Sequence, residues 1–152
     1  MLRTNDLNNS YIERNIYFFL TMLLSLFLFA FTTLPATSNL QINITNLKHQ
    51  EGKIFIAIYN SKDNFGEPDG VYKAQVISPA TAYCSFSIPE GNYAIAIFHD
   101  ENNNGVLDKN VFGVPTEGYG FSNNFSGWPT YQKALIYCGT GTYKQTIEMK
   151  YW

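Results

Sequence analysis

From Asn39 onward apolar and polar residues alternate with a period of two, the pattern of strands with one dry face and one wet face. Leu40, Ile42 and Ile44 are set against Gln41, Asn43 and Thr45, and Lys53–Tyr59, KIFIAIY, makes a second run. A shorter strand, Ala74–Ile77, stops before Pro79. Thr81–Ile88 puts Ala82, Cys84, Phe86 and Ile88 on one face and ends at the turn Pro89-Glu90-Gly91. Tyr93–Phe98 is almost continuously apolar, as expected of a strand covered on both faces, and its Ala94 and Ala96 side is expected to lie under a later loop. Ala134–Cys138 and Thr142–Trp152 complete the set, the latter opposing Tyr143, Gln145, Ile147, Met149 and Tyr151 to Lys144, Thr146, Glu148 and Lys150. No stretch after Asn39 has helical periodicity. About seven short strands separated by turns predict an all-β domain, an antiparallel two-sheet sandwich of the prealbumin or immunoglobulin kind, with an open barrel as the other way to close it.

Ahead of the domain, Ile16–Leu34 runs without a charge, and about 19 residues of helix would span roughly 28 Å of hydrocarbon. Arg14 precedes the run, and Ala36 and Ser38 follow it in an A-x-S pattern suited to cleavage before Asn39. Residues 1–38 are therefore expected to be a signal peptide or, uncleaved, an N-terminal membrane anchor, with 39–152 as the sandwich. Either places the domain outside the cytoplasm, periplasmic or secreted, and touching a membrane only through residues 16–34.

Composition narrows the partners. Net charge is -2, and the two arginines, Arg3 and Arg14, both precede the apolar run. A domain with no guanidinium lacks the usual bidentate partner of phosphate, so nucleic acid is not an expected ligand. Cys84 and Cys138 both fall on expected strands in an oxidising compartment, which allows a disulfide as well as two buried free thiols. A bond closing a loop of about 55 residues would contribute roughly 4 kcal/mol in the chain-entropy account.

The densest chemistry lies in Asp100–Asp108, DENNNGVLD, which follows the D-x-[DN]-x-[DN]-G pattern. Oxygen-bearing side chains at Asp100, Asn102 and Asn104 converge on one centre, Gly105 allows the turn, and the Val106 carbonyl and Asp108 add oxygens. An all-oxygen set with neutral amides suits Ca²⁺ rather than zinc or copper. The twelfth position is Val111 instead of a bidentate Glu, and a strand precedes the loop, so this is not an EF-hand; Glu117 is the preferred source of the missing oxygens, with a carbonyl near Lys109 or a carboxylate of the Asp63–Asp69 loop as the other sources. Two carboxylates within the pattern imply weak affinity, on the order of 10⁻⁴ to 10⁻³ M, and a structural clip. A polar Asn/Asp/Gly turn without metal is the other reading of these residues.

The stretch Tyr93–Asn124, YAIAIFHDENNNGVLDKNVFGVPTEGYGFSNN, with the lead-in Ile88–Tyr93 and the later Trp128–Ala134, resembles the DUF2141 family of exported bacterial proteins of unknown function. The lead-in and loop are similar, over a shorter length, to prealbumin-like sandwich repeats of bacterial surface proteins, in which a comparable loop binds calcium. The resemblance implies a secreted or periplasmic sandwich. It supplies no catalytic residues and does not include the two cysteines.

Two further constellations bear on function. His99, Asp100 and Glu117 could assemble an acid/base pair of a small extracytoplasmic hydrolase, but no nucleophile-elbow, zinc-protease or phosphate-loop pattern accompanies them. The expected role of His99 is to hold the loop through a ring nitrogen, and His49 is expected to be solvated. Tyr119, Phe121, Phe125 and Trp128 read either as an aromatic platform for a glycan, a peptide or an envelope protein, or as a packed cover over Ala94 and Ala96. The expectation is thus a non-catalytic, calcium-clipped envelope module.

Overall fold

The seven runs and one further segment form eight strands: β1 (Thr37–Thr45), β2 (Lys53–Tyr59), β3 (Lys73–Ile77), β4 (Tyr83–Pro89), β5 (Gly91–Asp100), β6 (Gly118–Phe121), β7 (Leu135–Cys138) and β8 (Gly141–Glu148). They are seen in a computed structural model that describes residues 14, 15, 17, 18, 20–22 and 36–152. Most of the expected signal or anchor segment, residues 1–38, lies outside the described residues, and so does most of its apolar run 16–34. The described residues of that region are helical, and no described helix is long and apolar enough to cross a membrane. The compact β unit begins at Pro35, and β1 begins at Thr37, two residues before the boundary expected at Asn39.

The strands sort into two sheets. One has the order β4-β1-β8; the other has β3-β2-β5-β6, with β7 also on β5. Leu40, Ile42 and Ile44 of β1, Ile54, Ile56 and Ile58 of β2, Cys84, Phe86 and Ile88 of β4, and Tyr93, Ile95 and Ile97 of β5 meet in one core. The period-two faces expected from the sequence are therefore the faces that pack, as in a sandwich.

Three expectations are corrected. Pairing is not antiparallel throughout, because β8 lies parallel to β1 from Ser38↔Gly141 to Thr45↔Glu148. Alternation tells which face of a strand is buried but not which way its neighbour runs. The second correction is β6, a strand the periodicity does not reveal, because its inward positions are glycines. A Cβ on Gly118 would overlap the Tyr151 ring, and one on Gly120 would come within 2.8 Å of Ile147 Cγ2. Third, one helical turn, Tyr131–Ala134, precedes β7, with the Thr130 hydroxyl accepting from the Lys133 N–H. A single turn is too short to show a helical period.

Strand β5 organises the larger sheet. One edge carries β2; the other is shared, with β7 on Gly91–Ala94 and β6 on Ala96–His99. Ile95 falls in the gap between the two partners. Its N–H is taken by the buried Ser122 hydroxyl at 3.0 Å, which in turn donates to the Ala134 carbonyl. A buried backbone donor without a partner is costly, so Ser122 acts as a rung of the ladder.

Candidate functional site

The outward positions of the larger sheet form two rows that run across the strands. Register places Val76 beside Phe55, Phe55 beside Phe98 and Phe98 beside Tyr119. The next row is Ala74, Ala57, Ala96 and Phe121. Phe55 and Phe98 stack nearly parallel with centroids 4.7 Å apart. The first row is thus a ridge, and the three alanines of the second are a floor. Along the far side Phe65 stands edge-on to Tyr59 at 5.3 Å and to Tyr131 at 6.0 Å, forming an opposite wall. The result is an open trough of about 590 Å³. A second hollow of about 340 Å³ adjoins it and is lined by Trp128, Trp152, Val114 and Pro115; Lys109, Tyr119 and Phe121 line both.

Among the aromatic candidates the two readings divide by residue. Phe121 and Phe125 stack at 5.2 Å and pack with Tyr131 and Ala134 over Ala94, which is completely buried. To that extent the loop is a cover. Ala96 is only half-buried and remains on the trough floor, while Trp128 is 76% exposed. Tyr119 is half-buried and its hydroxyl accepts from Trp152 Nε1 at 3.1 Å.

The loop after β5 flanks this trough through Gly105, Val106 and Leu107. Asp100 is buried, its carboxylate accepting from the N–H groups of Asn104 at 3.0 Å and Gly105 at 2.9 Å. Asn102 Oδ1 also accepts from the Asn104 N–H, and Asn104 Oδ1 from the Val106 N–H. The Asp108 carboxylate closes the ring, accepting from Asn102 Nδ2 at 2.6 Å and from Asn104 Nδ2 at 3.0 Å. Asp100, Asn102, Asn104 and Asp108 are therefore joined in one hydrogen-bonded turn, which the Val106 backbone enters through its N–H. Glu117 takes another place. It is buried, and its two carboxylate oxygens accept the N–H groups of Glu101 at 2.9 Å and Asp108 at 3.0 Å, strapping the two ends of the loop. Val111 is exposed near the tip of the small hairpin that Lys109 and Pro115 close. Among the described residues no three His, Cys, Asp or Glu side chains are grouped to hold a metal; the loop's own donors are two carboxylates, amides and carbonyls.

His99 is fully buried and both ring nitrogens are engaged, Nε2 with the Glu51 carbonyl at 2.6 Å and Nδ1 with the Tyr151 hydroxyl at 2.8 Å. A carbonyl oxygen only accepts, so Nε2 carries a proton. Burial pushes the Tyr151 hydroxyl above its ordinary value, against the pull of the Lys48 backbone N–H, so it stays protonated to donate to Nδ1. His99 thus ties the end of β5 to the β1–β2 turn and the C-terminal tail. Glu117 is likewise engaged by backbone N–H groups, so both residues of the alternative acid/base pair already have partners within the fold, and His99 holds the position expected of a strand-end residue.

His49 is not merely solvated. Its Nε2 lies 2.7 Å from Glu101 Oε2, its ring centroid is 4.9 Å from that of His99, and its Nδ1 is buried without a partner. No sequence pattern joins His49 to Glu101; the pairing of Lys53 with Asp100 places them together.

The disulfide that the sequence allowed is not formed. Cys84 and Cys138 are free, one on each sheet, and burial pushes both thiols up to about 11. Thiolate is correspondingly scarce at neutral pH, and the two side chains serve as small core residues.

These features define the class: a small two-sheet β-sandwich with an aromatic outer trough and a polar loop beside it. The chain belongs to the family described as "Uncharacterized protein conserved in bacteria (DUF2141)", whose pattern matches residues 42–146, from within β1 to within β8. Neither the curated proteins nor the solved structures gave a match.

Proposed function

We propose that this protein is a non-catalytic, extracytoplasmic binding module that holds its ligand in the trough on the outer face of the larger sheet. The observation that carries the reading is the unfilled floor Ala74-Ala57-Ala96 beside the Phe55–Phe98 stack, in a hollow of about 590 Å³. Sheet faces left to water are ordinarily polar, whereas a concave apolar face of this size has the dimensions and character of a small-molecule site. The neutral dye N-phenyl-1-naphthylamine tests it. Saturable binding is expected, weakened at least tenfold in Ala96→Phe, which fills the floor, with the melting temperature followed in parallel. Equal dye affinity in a well-folded Ala96→Phe protein would remove the trough as the site.

The loop Asp100–Asp108 is the proposed calcium clip of one trough wall. In this reading Asp100, Asn102, Asn104, the Val106 carbonyl and Asp108 supply oxygen, and Glu117 contributes from the strap position. The amide groups that now neutralise Asp108 would turn to present oxygen, the cation taking over their role. At 5 mM Ca²⁺ and a dissociation constant on the order of 5 × 10⁻⁴ M, linkage stabilises the fold by about 1.4 kcal/mol, or roughly 5 °C in melting temperature. Differential scanning calorimetry should record that rise with calcium, a smaller one with magnesium and none in Asp100→Asn. An unchanged melting temperature at 5 mM would leave the polar turn as the reading of this loop.

A further inference from the structure

The geometry points to a long-chain monocarboxylate, a fatty acid, as the class of ligand that the trough holds; this inference rests on the trough being the binding site. The argument is one of charge placed against an apolar surface. Lys109 is the one charged side chain that lines either hollow, and it lines both, standing where they meet. Among the described residues no carboxylate is bound to the Lys109 ammonium, whereas His49 pairs with Glu101. Its neighbour Asp108 is already held by two amides and donates its own N–H to Glu117. Pro68 lines the trough as well, but its exposed chain neighbours Glu67 and Asp69 do not. An anionic headgroup is thus attracted to the Lys109 ammonium, with no carboxylate side chain lining either hollow to repel it.

The remaining lining is what an alkyl chain needs. Four strands at about 4.8 Å spacing give a floor roughly 14 Å long from Ala74 to Phe121. The ridge runs along its whole length, aromatic at Phe55, Phe98 and Tyr119 and aliphatic at Val76. A glycan would bring many hydroxyls to a surface with few side-chain donors or acceptors, and burying them unpaired is costly. A phosphate carries more charge than one lysine balances, and no arginine follows Arg14. One negative charge on an apolar tail matches the site.

The test uses the full chain and its own two tryptophans, Trp128 and Trp152, both of which line the smaller hollow. Tryptophan fluorescence is titrated with sodium hexadecanoate, with hexadecanol as the uncharged control of equal chain length. Hexadecanoate is expected to bind about tenfold more tightly than hexadecanol, the scale of a charge-assisted hydrogen bond. Lys109→Met, which keeps an aliphatic side chain, should erase that preference while leaving hexadecanol affinity within about twofold. Shortening the acid should weaken binding by roughly two- to fourfold per methylene removed. Equal affinity for acid and alcohol, or a preference that survives Lys109→Met, overturns the carboxylate assignment and leaves the trough as an apolar site. Hexadecanoate binding that survives Ala96→Phe places the ligand elsewhere, including on the apolar run 16–34, and both readings then fall.

Discussion

Gly52→Ala is expected to destabilise the domain by about 3 kcal/mol, lowering its melting temperature by roughly 10 °C. Gly52 follows the β1–β2 turn at φ +79°, where an L side chain is strained, and a Cβ there would overlap the Asp100 carbonyl oxygen. Backbone lies on the other side of that contact, so no flexible side chain is available to yield. The turn has to move, and it carries Glu51, whose carbonyl accepts from His99, and His49, which pairs with Glu101. Gly105→Ala is the matched control. Gly105 has nearly the same φ, +82°, but nothing lies within 4 Å of its added Cβ. That substitution should cost only about 1 kcal/mol of backbone strain. Equal costs in denaturant titrations of the two variants would show that the close approach at Gly52 is unimportant.

His99→Ala should have an effect of similar size, about 3 to 4 kcal/mol, by a different route. Removing the ring leaves the Glu51 carbonyl without its donor and the Tyr151 hydroxyl without its acceptor, and opens a void at a position with no solvent exposure. Tyr151→Phe removes one of the two hydrogen bonds and keeps the ring, so about 1 kcal/mol is expected. Because the residues share a bond, the double variant should cost less than the sum, and a denaturation cycle measures the coupling. A His99→Ala protein as stable as the parent would contradict the structural role assigned to the histidine.

The polar loop Asp100–Asp108 was legible as a closed turn because its hydrogen bonding is local. Asp100, Asn102, Asn104 and Gly105 lie within six residues, and turn geometry of that length is set by the residues themselves. Glu117 was identified as a partner of this loop, yet its role depends on which groups reach it first. In the fold they are the N–H groups of Glu101 and Asp108, a consequence of β6 returning beside β5. The trough was half legible. Tyr119, Phe121 and Trp128 stood out as aromatics, but Phe55, Phe98 and the alanines of β2 and β3 did not. Those residues become one surface only through strand register, which shows no short-range signal.

Sequence alone determined the inward face of each long strand, because a period of two can bury only one set of side chains, and it determined the family. Tertiary structure decided what alternation cannot encode. It set β8 parallel to β1, made a strand of Gly118–Phe121 because Tyr151 and Ile147 fill the space that side chains would need, and left both cysteines as buried thiols. It also left the Ala57 and Ala96 floor open while covering Ala94, since Phe125 and Tyr131 pack over one row of the sheet and not the next. Local patterns fix faces because the side chains alternate along one strand; pairing and covering depend on residues far apart in the chain, whose meeting is a property of the whole fold.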